Sequence, residues 1–260
     1  TGGYRKTPVM QIGADIYCDT QIILRELEQR YPAPSIFPIK NGLAYAIGFW
    51  SDRLFFMPSV GVVFGEIGHM VPESFKQDRA KMSGNNFSTE AMAAAAPFAK
   101  DQWRAHADFV AETLEDGRDY MGGAKPGAAD IHAYMNFWWI KAALPHLAGA
   151  MMKEFPKIDA WVARIAALGH GKPTPMDSKE ALAIAKAATS DAQPATDDAD
   201  PRGLKTGDKV TVAADDYGRD PITGEIVFSN RHEIAIRRND PAIGDVVVHF
   251  PRAGFVVAMA

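Results

Sequence analysis

Two short stretches near the N-terminus carry residue types and a spacing suited to gripping an amino-acid-like ligand. They are Lys6-Thr7-Pro8-Val9-Met10-Gln11 and Asp19-Thr20. Pro8 has no N–H to give to a sheet ladder, so it belongs at a strand start or on an edge. An edge strand leaves the backbone of Thr7 able to pair with an extended peptide. A helix opening at Asp19-Thr20 offers amide N–H groups and a partial positive charge, which suit a carboxylate. Thr20 adds a hydroxyl, and Asp19 an anion for an ammonium group. The pair would hold an α-amino-acid head group some distance from a bound peptide backbone. The plain alternative is a hairpin followed by a helix N-cap worth about 1 kcal/mol.

Other chemistry is sparse. There is no Gly-x-Ser-x-Gly, and Thr1-Gly2-Gly3 lacks the spacing of a phosphate loop. The seven histidines are scattered without a His-x-x-x-His or Cys/His cluster, which argues against a metal site. His106 and His132 read as packed or surface side chains. Cys18 is the single cysteine, so no intramolecular disulfide can form, in keeping with a reducing, cytoplasmic setting. It sits on a strand expected to be buried and reads as a packed thiol rather than a nucleophile. A net charge of −4 gives no reason to expect nucleic acid, and no unbroken apolar run of membrane-spanning length occurs.

The elements that must position these residues follow from periodicity. Thr7 to Ile12 and Ile16 to Cys18 read as a hairpin around Gly13-Ala14-Asp15. A helix follows, with Thr20, Ile23, Leu24, Leu27 and Tyr31 on one face and Pro32 and Pro34 ending it. Gly42 to Gly169 is helical in pattern and predicts an all-α bundle. Ala44 to Met57, apolar nearly all round, predicts a deep helix that stops at Pro58. Further helices are expected over Gln102–Leu114, Ala128–Leu144 and Phe155–Leu168, with the polar stretch Val71–Asn86 containing a loop. His170 to Thr206 reads as a connector with one Ala-rich helix, and Thr189 to Asp200 as flexible linker. After it the period changes. Lys209–Val212, Gly224–Phe228, Glu233–Arg237, Asp245–Phe250 and Phe255–Ala258 are β-type runs separated by turns, which predicts a small β-barrel or sandwich.

The spacing from Thr7-Pro8 to Asp19-Thr20 resembles the glutathione site of the cytosolic glutathione transferase superfamily. There a cis-proline follows the residue whose backbone pairs with the cysteinyl part of glutathione, and an acidic-hydroxyl pair binds the γ-glutamyl group. Lys6 stands where some members place a basic side chain near the glycyl carboxylate. A second match lies in Asp116-Gly117-Arg118-Asp119-Tyr120-Met121-Gly122-Gly123 followed by Lys125-Pro126-Gly127-Ala128-Ala129-Asp130-Ile131. This is similar to the segment leading into that family's central buried helix, with Gly127 where Ser or Thr is usual; Asp130 would be structural. Phe155-Pro156-Lys157-Ile158, Ala160-Trp161 and Arg164 resemble the next helix. The resemblance covers about Thr1 to Ala188.

It implies an α+β multidomain fold: residues 1–35 as the second half of a thioredoxin-like α/β unit, 42–170 as an all-α helical bundle, 171–206 as a linker, and 207–260 as a small β-rich domain. It also implies a first β-α-β unit, with the catalytic Tyr, Ser or Cys, before Thr1. The expected activity is presentation of the glutathione thiolate to a small electrophile, with this stretch alone inactive. Glutathione is the co-substrate, bound by Lys6, Thr7, Pro8, Asp19 and Thr20, and the family often forms dimers. Phe49, Trp50, Arg53, Phe56 and Met57 are candidates for an apolar substrate wall, with pairing of Arg53 to Asp52 as the plain alternative. The rival reading is a non-enzymatic scaffold or binding protein of the same fold, acting through its C-terminal β-module.

Overall fold

The computed structural model describes residues 1–39 and 41–260, apart from the side chain of Asn41. In chain order it has β1 (Val9–Ile12), β2 (Asp15–Cys18), α1 (Thr20–Arg30), α2 (Asn41–Trp50), α3 (Phe56–Ile67), α4 (Glu73–Ser83) and α5 (Thr89–Thr113). Next come α6 (Ala128–Ala143), α7 (Pro145–Met152), α8 (Pro156–Ala166) and α9 (Ser178–Ala187). The chain ends with β3 (Lys209–Ala214), β4 (Ile222–Ser229), β5 (Glu233–Asp240), β6 (Gly244–Pro251) and β7 (Phe255–Met259). Two compact units result: Thr1–Gln29 with Thr174–Ala260, and Arg30–Pro173. None of the described helices is long and apolar enough to cross a membrane.

The first unit corrects the expected boundaries. The hairpin and the C-terminal strands are not separate bodies but one seven-stranded sheet in the order β1-β2-β6-β5-β4-β3-β7. β2 runs parallel to β6 in the register Ile16↔Val248 and Tyr17↔His249, and every other pairing is antiparallel. The sheet is open, with β1 and β7 at its edges, rather than a self-contained barrel or sandwich. Alternation explains the join. In β6, Val246, Val248 and Phe250 enter one apolar layer with Ile16 and Cys18 of β2, while Val247 turns to the other face. On β2, Tyr17 packs with Ile22 and Ile23 of α1.

The connector is docked, not flexible. Ser190 and Asp191 bind Asp15, and Ala195 pairs with β4, its N–H donating to Val227 O over 3.1 Å. Asp200 is buried against Arg252 at 2.8 Å, and Leu204 enters the apolar layer. Low hydropathy misled here because the polar groups are satisfied by partners distant in sequence.

The second unit is the expected helical bundle. Trp103, Phe137, Phe55 and Trp161 fill its centre. The first helix does not stop at Pro58. A π-helical turn at Ser51–Phe55, closed by Phe56 N–H donating to Ser51 O, links α2 to α3. The wider turn accommodates a ring that would otherwise clash with the carbonyl four residues back. Leu43, Leu54 and Met57 are exposed, so this helix is less deep than its composition implies. Residues 71–86 contain α4, and α5 begins well before Gln102, with Pro97 inside it.

Close approach of α3 and α5 rests on missing side chains. A Cβ on Gly61 would lie 2.6 Å from Ala99 Cβ, and one on Gly65 2.5 Å from Ala96 Cβ. Gly65→Leu is therefore expected to lower the stability of this unit by about 2–3 kcal/mol or more through overpacking. All five tryptophans lie in this unit, so their fluorescence during urea unfolding reads the loss directly.

Asp130 is the polar pin of the bundle. Fully buried, it accepts from Gly127 N at 3.0 Å, Met121 N at 2.8 Å and Trp161 Nε1 at 2.8 Å. Gly127 replaces the hydroxyl residue for a steric reason: a Cβ there would meet Pro38 Cδ at 2.4 Å. Asp130→Ala would strand three donors. A loss of about 3–5 kcal/mol is expected, read as a shifted urea midpoint in tryptophan emission.

Candidate functional site

The register Val9↔Cys18 brings the Thr7-Pro8 and Asp19-Thr20 stretches to the same end of the hairpin. Thr7 and Pro8 precede β1 and are exposed, and the peptide bond between them is cis. Asp19 follows β2 and caps α1. Its carbonyl accepts Ile23 N–H at 3.2 Å, and its Oδ1 accepts Gln21 N–H at 2.9 Å. Asp19 is also the one non-glycine residue with positive φ among the described residues, at 90°. A left-handed backbone at an L-residue costs about 1–2 kcal/mol, least for Asn and Asp, whose short side chains bond locally. The aspartate is thus held in a sparsely populated conformation at a helix start, beside an exposed extended strand. That end can meet an ammonium and a carboxylate with one residue pair, and a peptide backbone with another.

Lys6 lies elsewhere in the network. Its Nζ forms an ion pair with Asp216 and sits 4.2 Å from the centre of the Tyr217 ring. Tyr4 packs edge-on against Phe250. Burial first, and then the charge of Asp19, push its hydroxyl far above the ordinary phenol range. Cys18 is fully buried, and burial drives its thiol up to about 12, so it is no thiolate near neutrality.

The expected substrate-wall residues belong to the helical unit. Trp50 Nε1 donates to His106 Nδ1 at 3.1 Å, and Phe56 stacks on Trp139 at 5.7 Å. Arg53 lies 4.9 Å from the Phe49 ring centre, while Asp52 lies 3.7 Å from His132 Nδ1. His106 and His132 are packing residues: burial lowers the pKa of the first, and the second is 6% exposed. No group of His, Cys, Asp and Glu able to hold a metal occurs among the described residues.

One cluster escaped sequence reasoning. His249 on β6 stacks on Tyr17 with centroids 4.4 Å apart. Its Nε2 donates to Asp15 Oδ1 at 2.9 Å and its Nδ1 to Glu233 Oε1 at 2.6 Å. Asp15 also accepts Ser190 Oγ–H at 2.5 Å and Asp191 N–H at 2.8 Å. The serine bonds the carboxylate, not the imidazole, so this is no nucleophilic triad. Burial alone would disfavour the imidazolium, but the hydrogen bonds and charges of Asp15 and Glu233 prevail and raise His249 to about 9. Burial likewise opposes ionisation of Asp15, yet its bonds to His249, Ser190 and Asp191 hold it below the ordinary carboxylate value. Only the parallel β2–β6 register brings these groups together. The signal in sequence was a buried-strand pattern, Val-Val-Val-His-Phe, interrupted by one titratable residue.

The cluster makes the seating of the hairpin pH-dependent. A His raised from 6.5 to about 9 contributes fully below pH 6.5, and the contribution is lost as pH rises through about 9. It amounts to about 3 kcal/mol. Asp15, with its pKa lowered, contributes above about pH 4 and loses its contribution as pH falls through its folded value. Amide exchange of β6 is expected to be slowest, after correction for intrinsic rates, between about pH 4 and 6.5. Protection should weaken towards pH 9.5. His249→Gln should abolish the alkaline step and remove the cation that Asp15 and Glu233 share, with protection reduced below about pH 9.

A crystal structure of a GST-like protein from Pseudomonas syringae is 33% identical to this chain, with a TM-score of 0.80, covering 100% of this chain and 83% of that one. The chain belongs to this GST-like family. Poplar glutathione transferase F1 is 14% identical over 70% of this chain and 75% of its own, with a TM-score of 0.46. A Tau class glutathione S-transferase from mango, Mangifera indica, is 19% identical over 68% and 73%, with a TM-score of 0.44. Residues 63–172 match a family described as Domain of unknown function (DUF7962). No curated protein matches the chain. The fold class expected from sequence is the one observed: a GST-like α+β architecture with a thioredoxin-like part, a helical bundle and C-terminal strands.

Proposed function

We propose that the protein is a glutathione-binding transferase that presents the glutathione thiolate to a small electrophilic substrate. The observation that carries the reading is the meeting of Thr7-Pro8 and Asp19-Thr20 at one end of the hairpin, with Asp19 held left-handed at the start of α1. Membership of the GST-like family supports it. In this proposal Thr7 pairs its backbone with the cysteinyl segment, and Pro8 sets the direction of the strand. Asp19 meets the γ-glutamyl ammonium, Thr20 and the helix start its carboxylate, and Lys6 the glycyl carboxylate.

The chemistry asked of the protein is modest. A free thiol near pKa 8.5 is mostly protonated at neutrality, and lowering it by two units takes about 2.7 kcal/mol. Cys18 does not join that chemistry, since its own thiol is buried and protonated. A cytoplasmic dimer is part of the proposal and rests on the family likeness.

Asp19→Asn is the clean test. Asparagine keeps the oxygen that accepts Gln21 N–H and tolerates positive φ, but removes the charge. In calorimetric titrations of the intact protein, glutathione is expected to bind saturably and the variant at least tenfold more weakly, about 1.4 kcal/mol. The thermal midpoint should be unchanged. Absence of binding by the intact wild type would remove the transferase reading and favour the non-enzymatic scaffold.

A further inference from the structure

The loop between β3 and β4 meets Lys6. Asp215 N–H donates to Gly254 O at 3.1 Å, Gly218 turns at φ 62°, and Arg219 Nε donates to the Asp216 carbonyl at 2.8 Å. This fold of the loop sets the Asp216 carboxylate on Lys6 Nζ and the Tyr217 ring against the same ammonium. The pair is largely withdrawn from solvent, with side chains 14% and 25% exposed.

A lysine ammonium is a compact point charge whose donors here already meet a carboxylate and an aromatic face. A second carboxylate arriving on it would be repelled by the first. We infer that the Asp216–Tyr217 loop is an intramolecular brake on the glutathione site: Asp216 occupies on Lys6 the place of the ligand's glycyl carboxylate, and binding exchanges one for the other. The inference rests on the reading that Lys6 receives that carboxylate. It assigns the C-terminal strands a role in ligand affinity as well as in support.

The test is calorimetry on the intact protein with glutathione and with its analogue amidated at the glycyl carboxylate. Asp216→Asn should bind glutathione at least threefold more tightly than wild type and show no gain for the amide. Asp220→Asn, exposed in the same loop and equal in charge change, should alter neither. Tyr217→Leu gives an independent arm should Asp216→Asn fold poorly, and should tighten glutathione but not the amide. Unchanged or weaker glutathione binding by Asp216→Asn, with Asp19→Asn still weakening it, overturns the brake and leaves the site standing. An equal gain for both ligands, or from Asp220→Asn, also overturns it. No binding by wild type or Asp216→Asn overturns the brake and the glutathione site together.

Discussion

The parallel pairing of β2 with β6 is the contact on which the placement of the N-terminal hairpin depends. A two-stranded hairpin is marginal in water, and β1–β2 gains its support from five further strands on one side. Apolar alternation supplies the driving force, and His249 supplies the register. A one-residue slip would take its imidazolium from between Asp15 and Glu233 and leave both carboxylates without their cationic partner. The hairpin carrying Thr7, Pro8 and Asp19 is therefore positioned by residues more than two hundred places later in the chain.

This arrangement gives the C-terminal strands two kinds of contact with the hairpin. Through β6 they hold it; through the β3–β4 loop they touch Lys6 beside it. The connector belongs to the same construction. Ser190 and Asp191 complete the coordination of Asp15, and Asp200 anchors Arg252 just beyond β6. The ion cluster and the free end of the hairpin are chemically distinct: the first is a largely buried ion cluster, the second an exposed strand end and a helix start.

The helical unit solves a different problem. α3 and α5 approach closely because Gly61 and Gly65 face Ala99 and Ala96, and interiors packed to crystal-like density leave no room for extra atoms. Several buried polar side chains inside it fasten one helix to another. Ser51 Oγ donates to His132 O at 2.6 Å, Ser59 Oγ to Asn136 Oδ1 at 2.9 Å, and Asp130 collects three donors. Such groups specify one packing among many apolar alternatives, because each is costly if left unmatched.

Local order was legible in the sequence because its causes are local. Periodicity placed the hairpin, most helices and all five C-terminal strands, and Pro8, Asp19 and Asp130 announced their backbone roles through their chemistry. Pro58 misled because a π-helical turn, invisible to a 3.6-residue pattern, absorbs it. The tertiary structure alone decided which strands are neighbours. Strand propensity says that β6 is buried on both faces, but not that its partner is β2, since pairing depends on register and burial over long separations. It alone also decided that a polar connector is docked, that His249 is charged within a core, and that Lys6 is met by Asp216. Charges acquire partners only in space, and nothing in residue order encodes a distance between positions 6 and 216.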